Sequence, residues 1–102
     1  MPDERRVTPR ADVAIPCVLR RRTGTPISVE TVNVGAGGMR ITTSRPLAID
    51  EVLDFDLPLA ETDRVDGRAR VLRQEGHGVY ALRFEGLREP TRERLQAFTA
   101  TD

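Results

Sequence analysis

Hydrophobic and polar positions alternate along most of this chain. Between Leu53 and Leu59, four apolar residues alternate with Asp54, Asp56 and Pro58. Successive side chains of a strand point to opposite faces, so this pattern predicts strands with one buried and one exposed face. Similar alternating or β-branched segments, separated by turn residues, occur at 13–19, 27–34, 39–43, 53–59, 65–73 and 79–84. Six short strands at this spacing predict a small all-β fold, either a barrel or a sandwich.

Only the C-terminal end of the chain predicts a helix. Proline is well tolerated in a first helical turn, so a helix is expected to begin at Glu89 or Pro90 and to cover 91–98. The first eleven residues carry almost no apolar side chains and predict an exposed arm. We therefore expect one domain, made of an arm (1–11), a barrel (12–86) and a helix with a tail (87–102).

The charged residues are distributed unevenly along the chain, although their totals cancel. The chain has 102 residues, with 16 basic and 16 acidic side chains, and every basic residue is arginine. Residues 1–45 carry a net charge of +4 and residues 46–102 carry −4. A basic first half allows an anion site on a protein of zero net charge.

Other features of the sequence predict a cytoplasmic protein without a membrane span. No apolar run approaches the roughly 20 residues of a membrane helix, and the N-terminus does not resemble a signal peptide. The single cysteine, Cys17, excludes an internal disulfide framework and fits a reducing compartment.

The sequence contains little that predicts catalysis or metal binding. His77, the only histidine, lies between two glycines and is expected in an exposed turn. Cys17 falls on the apolar face of its strand and is expected in the core. Asp54 and Asp56 would point the same way, as an acidic solvent face without identifiable partners. We therefore expect no enzymatic activity, no metal site and no cofactor.

Two features indicate a binding site instead. Arg5, Arg6 and Arg10 lie on the predicted arm, where guanidinium groups could bind phosphates or stack on a flat base. The second feature is the segment 33–38, which ends in the sequence Gly-Ala-Gly-Gly. Its glycines are expected to reach positive φ and to present backbone N–H groups to a ligand.

In this order and at this separation, the two features resemble the PilZ domain family. Arg6 and Arg10 match its RxxxR motif, and Asn33 and Gly38 match the first and last positions of its [D/N]xSxxG motif. The resemblance implies a bacterial receptor for cyclic di-GMP. Arg6 and Arg10 would then contact phosphates and guanines, and Arg5 could affect how many nucleotides bind. Asn33 would read a guanine edge or orient the arm, and Gly38 would permit the turn.

The resemblance covers nearly the whole chain and also implies its fold. We expect a six-stranded antiparallel β-barrel of the split-barrel type, with a flexible N-terminal arm and a short C-terminal α-helix. One position departs from the motif, because Gly35 replaces the serine. A lost hydroxyl hydrogen bond is typically worth about 0.5–1.5 kcal/mol, so we expect affinity to fall by roughly one order of magnitude without being abolished.

Three functions remain open. The first is a cyclic di-GMP receptor that rearranges its arm and signals to a protein partner, in motility or biofilm regulation. The second is a degenerate PilZ-like adaptor that binds proteins without nucleotide. The third, ranked last, is a nucleic-acid-binding barrel using Arg20–Arg22, since the four aromatic residues occupy apparent core positions and leave no stacking platform. We expect a monomer or weak dimer that binds neither DNA nor RNA.

Overall fold

Strands form half of the protein. The computed structural model describes residues 10–11 and 14–100, with the backbone alone at Arg10, Ala11 and Ala100. Its elements are β1 (Arg10–Ala11), β2 (Pro16–Arg20), β3 (Ile27–Gly35), β4 (Gly38–Thr42), β5 (Val52–Ala60), β6 (Asp63–Gly76), β7 (Val79–Glu85) and α1 (Glu89–Ala100).

The strands close into an antiparallel barrel. The order of hydrogen-bonded neighbours is β1-β3-β2-β5-β6-β7-β4, and an additional pairing of β3 with β4 completes the ring. Strands β2 to β7 are the six strands of this ring, whereas the two-residue β1 pairs only with the end of β3. The predicted six-stranded barrel is therefore confirmed, and the sandwich alternative is wrong.

The barrel interior is filled by the apolar positions that alternate along each strand. On β5, Leu53, Phe55, Leu57 and Leu59 are all buried. The ring of Phe55 stacks on that of Phe84 from β7 with 4.8 Å between centroids, an arrangement that stabilises aromatic pairs beyond their buried area. On β5 the alternation in the sequence therefore identifies the core residues.

The helix covers one side of the barrel. It begins at Glu89, as expected, and packs against β1, β3 and β6. Leu95 is fully buried and Phe98 is partly buried against the core cluster. A left-handed glycine, Gly86 with φ 62°, turns the chain between the end of β7 and this helix.

The boundary between arm and barrel differs from the prediction. Arg10 and Ala11 were expected in the arm, but they form β1 and pair with β3. Further along, the backbone N–H of Ile15 donates to Oγ1 of Thr31 at 2.8 Å, and the N–H of Thr31 donates to the carbonyl of Ile15 at 2.9 Å. These bonds tie the segment before β2 to the middle of β3, a long-range pairing that composition does not reveal.

Candidate functional site

The fold brings the two sequence motifs together. In the β1–β3 pair, Arg10 lies opposite Gly35 and Ala11 lies opposite Val34. Arg10 is the last residue of the arm motif, and Gly35 occupies the serine position of the second motif. The other two arm arginines, Arg5 and Arg6, lie outside the described residues.

A β-bulge sets the direction of Asn33. Thr31 pairs with Ile41 of β4, but Asn33 pairs with Arg40, so Val32 is an extra residue without a partner. Such an insertion reverses the alternation of the following residues. Val34 is consequently in the core, and Asn33 lies on the outer face beside β1, although only 7% of it is exposed.

The sequence carried a signal for this bulge that our prediction missed. The apolar residues of β3 that are in the core are odd-numbered at Ile27 and Val29 but even-numbered at Val34, while Val32 is exposed at the bulge. Continuous alternation would have placed Asn33 inside the barrel, where an amide cannot reach an external ligand. The change of phase therefore assigns Asn33 to the surface.

Gly38 is required for close packing. A Cβ atom there would lie 2.2 Å from the backbone oxygen of Leu82 and 3.2 Å from Cα of Arg83. Gly37, by contrast, has no heavy atom within 4 Å of its Cβ position. The expectation of positive φ is wrong for both of these glycines. Gly38 is a glycine because β7 approaches too closely for a side chain.

The motif glycines form a strip without side chains on the side of the strands that faces away from the core, where Gly35 and Gly38 are buried and Gly37 is exposed. Gly35 ends β3 and Gly38 begins β4, one position beyond the buried Val34–Met39 pair. Arg83 of β7 lies opposite Gly38. With strands spaced about 4.8 Å apart, three spacings place Arg10 and Arg83 about 14 Å apart at the two ends of this strip. A flat ligand could therefore lie close to the backbone between two arginine positions.

Arg40 borders this strip and was not predicted as a site residue. It pairs with Asn33 on the outer face, and its guanidinium binds Glu75 through Nε and through Nη2, the latter at 3.4 Å. Arg73 also binds Glu75, at 2.8 Å. The hydrogen bonds from Arg40 and Arg73 hold the pKa of Glu75 below its usual range. Only the register of β3 with β4 reveals that Arg40 belongs here.

Other residues singled out from the sequence form ion pairs or lie in the core. Arg21 makes a bidentate ion pair with Glu51, through Nε at 2.5 Å and Nη2 at 3.2 Å. Asp56 accepts both its hydrogen bonds, each 3.1 Å long, from Nη2 of Arg64. Cys17 is buried, and burial raises the pKa of its thiol to about 12, as expected of a core cysteine.

The remaining candidates are the single histidine and any cluster of metal-binding side chains. His77 is exposed in the turn between β6 and β7, as predicted. Across residues 10–11 and 14–100, no three His, Cys, Asp or Glu side chains are grouped so that they could hold a metal ion. No helix in the same part of the chain is long and apolar enough to cross a membrane.

The barrel, its arm strand and its covering helix define a class of small β-barrel domains that carry their surface motifs on β1 and the β3–β4 hairpin. The model of the PilZ domain matches residues 4–101. The chain therefore belongs to the PilZ domain family, as the sequence motifs indicated. No curated protein matches the sequence significantly.

Solved structures share this fold at low sequence identity. The inhibitor of motility MotI/DgrA of Bacillus subtilis matches with a TM-score of 0.79 and 17% identity over 94% of this chain. The chain spans only 50% of that protein. The PilZ domain of YcgR from Escherichia coli, solved with c-di-GMP, matches with a TM-score of 0.77 and 13% identity, covering 94% of this chain and 89% of that one.

A third similar structure is the PilZ domain of CeSA from a cellulose-synthesizing bacterium. It matches with a TM-score of 0.69 and 13% identity, covering 88% of this chain and 93% of that chain. At such identities these likenesses establish the fold, and the family assignment comes from the family model.

Proposed function

We propose that the protein is a cyclic di-GMP receptor that passes its signal to a protein partner through the arm. The observation that carries the proposal is the register of β1 with β3, which sets Arg10 opposite Gly35. Residues of two motifs, 25 positions apart in sequence, thereby border one surface. The c-di-GMP-bound PilZ domain of YcgR supports this choice of ligand.

The surface suits a doubly charged, flat ligand. Gly37 is exposed and has open space at its Cβ position, so a nucleotide could approach the backbone there. Asn33, 7% exposed, lies along one side, and its amide is of the kind that pairs with a guanine edge. Arg6 and Arg10 provide guanidinium groups that bind phosphates in bidentate fashion, and Arg5 adds a further cation. Binding would fix the arm against the barrel and change the surface offered to a partner.

The residue at position 35 affects the strength of this binding. Gly35 is buried at the end of β3, but it follows Val34 and therefore points away from the core, toward the side where Arg10 lies opposite it. In this proposal a serine there would direct its hydroxyl toward the ligand. Restoring it in Gly35→Ser should strengthen binding of cyclic di-GMP by about tenfold, as one added hydrogen bond predicts. An unchanged affinity would show that the strip is not part of the binding surface.

Calorimetric titration with cyclic di-GMP tests the proposal directly. The double variant Arg6→Ala, Arg10→Ala should lose binding, because charge-assisted bonds contribute most of the attraction. The variant Arg92→Ala removes an arginine on the exposed face of α1 and serves as the matched control. The proposal fails if the wild type gives no heat at tens of micromolar protein, or if the double variant binds like the control.

A second candidate is an adaptor that binds a protein partner without nucleotide. The glycine at position 35 favours it, because the hydroxyl of the family motif is missing. Recovery of the same partner with and without cyclic di-GMP in a pull-down would support the adaptor. For either function we keep the predictions of a cytoplasmic location, a monomeric or weakly dimeric state, and no enzymatic activity.

Nucleic-acid binding through Arg20–Arg22 has less support than either. Arg21, the middle residue, is held by Glu51 and by the carbonyl of Pro46. Phe55, Tyr80 and Phe84 are buried, so these rings cannot stack on bases. A steep salt dependence of binding to generic DNA would argue for this function instead.

A further inference from the structure

A shallow hollow adjoins the glycine strip on the side away from the arm. Its volume is about 240 Å³. Three arginines from three different strands line it, together with two glycines of the second motif and one exposed leucine: Arg40, Arg73, Arg83, Gly37, Gly38 and Leu72. None of these arginines belongs to either sequence motif.

Strand register explains why the hollow exists. Arg40 of β4 and Arg73 of β6 both lie opposite Ala81 of β7, which therefore separates them. Alanine is short and leaves the space above it free of its own side chain, and the carboxylate of Glu75 binds both guanidinium groups there. On the neighbouring row, Arg83 lies opposite Gly38, which has no side chain. Gly38 and Ala81 thus lie next to the arginines and form the base of the hollow.

The arginines around the hollow exceed the carboxylates that pair with them. Arg40 and Arg73 share Glu75, while Arg70 and Arg83 share Glu85. Arg70 does not line the hollow but pairs with the same glutamate as Arg83, and together these four guanidinium groups and two carboxylates carry a net charge of +2.

Of the four arginines, Arg83 makes the weakest contact with a carboxylate. Its closest carboxylate oxygen, on Glu85, is 3.8 Å away, and 59% of its side chain is exposed. Its distance from Glu85 is beyond that of a hydrogen bond, so its donors can turn to a ligand without breaking a strong contact.

We propose that this hollow is an anion subsite that binds a phosphodiester group, with Arg83 and Arg73 as its main ligands. The inference rests on the proposed function, since the phosphodiester belongs to a cyclic dinucleotide lying on the glycine strip. Guanidinium forks match two phosphate oxygens at once. The group has two sources, the far phosphate of the nucleotide held by the arm or a phosphate of a second nucleotide.

Calorimetry with cyclic di-GMP tests the subsite in the full chain. The variants are Arg73→Ala, Arg83→Ala and their combination, with Arg92→Ala as the matched control. The combined variant should bind about tenfold or more weakly, which is the loss expected for charge-assisted hydrogen bonds to phosphate. Arg83→Lys should recover only part of the affinity, because an ammonium group keeps the charge but not the fork.

Stoichiometry distinguishes the two sources of phosphate. If the wild type binds two nucleotides per chain and the combined variant binds one, the hollow holds a second nucleotide. If both bind one nucleotide and the variant binds it more weakly, the hollow holds the far phosphate. The subsite is refuted if the wild type binds, Arg6→Ala, Arg10→Ala abolishes binding, and the combined variant matches Arg92→Ala in affinity and stoichiometry.

A second probe separates the subsite from the proposed function. Inorganic pyrophosphate titrated into isotope-labelled protein should shift the NMR signals of the Arg73 and Arg83 side chains and of the Gly37 and Gly38 amides. Absence of cyclic di-GMP binding together with these shifts would refute the proposed function and keep the subsite. Equal shifts at Arg92 would show nonspecific attraction and refute the subsite.

Discussion

The contact at Gly38 makes a sharp prediction about the stability of the barrel. In Gly38→Ala, the new methyl carbon would lie 2.2 Å from the backbone oxygen of Leu82, whereas real Cβ atoms essentially never come within 3.0 Å of a heavy atom. The obstacle is a backbone carbonyl and cannot rotate away as a side chain would. Strands β4 and β7 must therefore separate by close to an ångström, and they are neighbours in the ring.

The expected loss of stability follows from the steric overlap of the new methyl group with the backbone. Overpacking a well-packed interior costs about 1–3 kcal/mol, and the backbone contact places this variant at the upper end. We expect the free energy of unfolding to fall by about 2–3 kcal/mol, which lowers the melting temperature of a 100-residue domain by about 10–20 °C. The hydrogen bond from the N–H of Phe84 to the carbonyl of Gly37, 2.9 Å long, should weaken with it.

Urea unfolding followed by circular dichroism measures this cost, with Gly37→Ala as the control. Gly37 has open space at its Cβ position and no left-handed φ, so alanine should leave stability unchanged or raise it by up to about 1 kcal/mol. The urea midpoint of Gly38→Ala should be about 1–2 M lower, with an unchanged slope. Equal midpoints for the two variants would refute the packing argument.

Three further predictions concern other parts of the barrel. Asp50 has a left-handed φ of 71°, a conformation that strains any residue with a side chain more than glycine. Thermal melting should therefore show Asp50→Gly about 0.5 kcal/mol more stable than the wild type. Equal stability of Asp50→Gly and Asp50→Ala would contradict this backbone strain. The buried thiol of Cys17, with its pKa raised to about 12, should react with Ellman's reagent only as fast as the protein opens, and immediate reaction would contradict its burial. The hydrogen bond from Arg21 holds the pKa of Glu51 below its ordinary 4.5, so this contribution is complete above that pH and is lost as the pH falls through the folded-state value. Arg21→Ala should therefore lower the melting temperature near pH 7 but not near pH 2, and an equal loss at both would exclude the ion pair as the cause.

Local patterns in the sequence were sufficient to predict the strands, the helix start and the barrel. Alternation over 53–59 identified a strand because each buried position is two residues from the next. The motif residues Arg6, Arg10, Asn33 and Gly38 identified the family for the same reason, since each motif lies within one short segment.

Features that depend on which strands meet could not be predicted. Arg83 belongs beside Gly38 only because β7 pairs with β4 in that register, and nothing near position 83 in the sequence indicates it. The reason for glycine at position 38 was also misjudged. We expected backbone freedom within the turn, but the limiting factor is a carbonyl from a strand more than 40 residues away in sequence.

The bulge at Val32 has a consequence for how such a domain can evolve. Strand β3 supplies residues of the interior from one set of positions, such as Val29 and Val34, whereas Asn33 and Gly35 point away from the interior, although both are buried. Substitutions in the second set leave the interior packing unaltered. A serine could therefore stand at position 35 by a single substitution without any change in the side chains that fill the barrel.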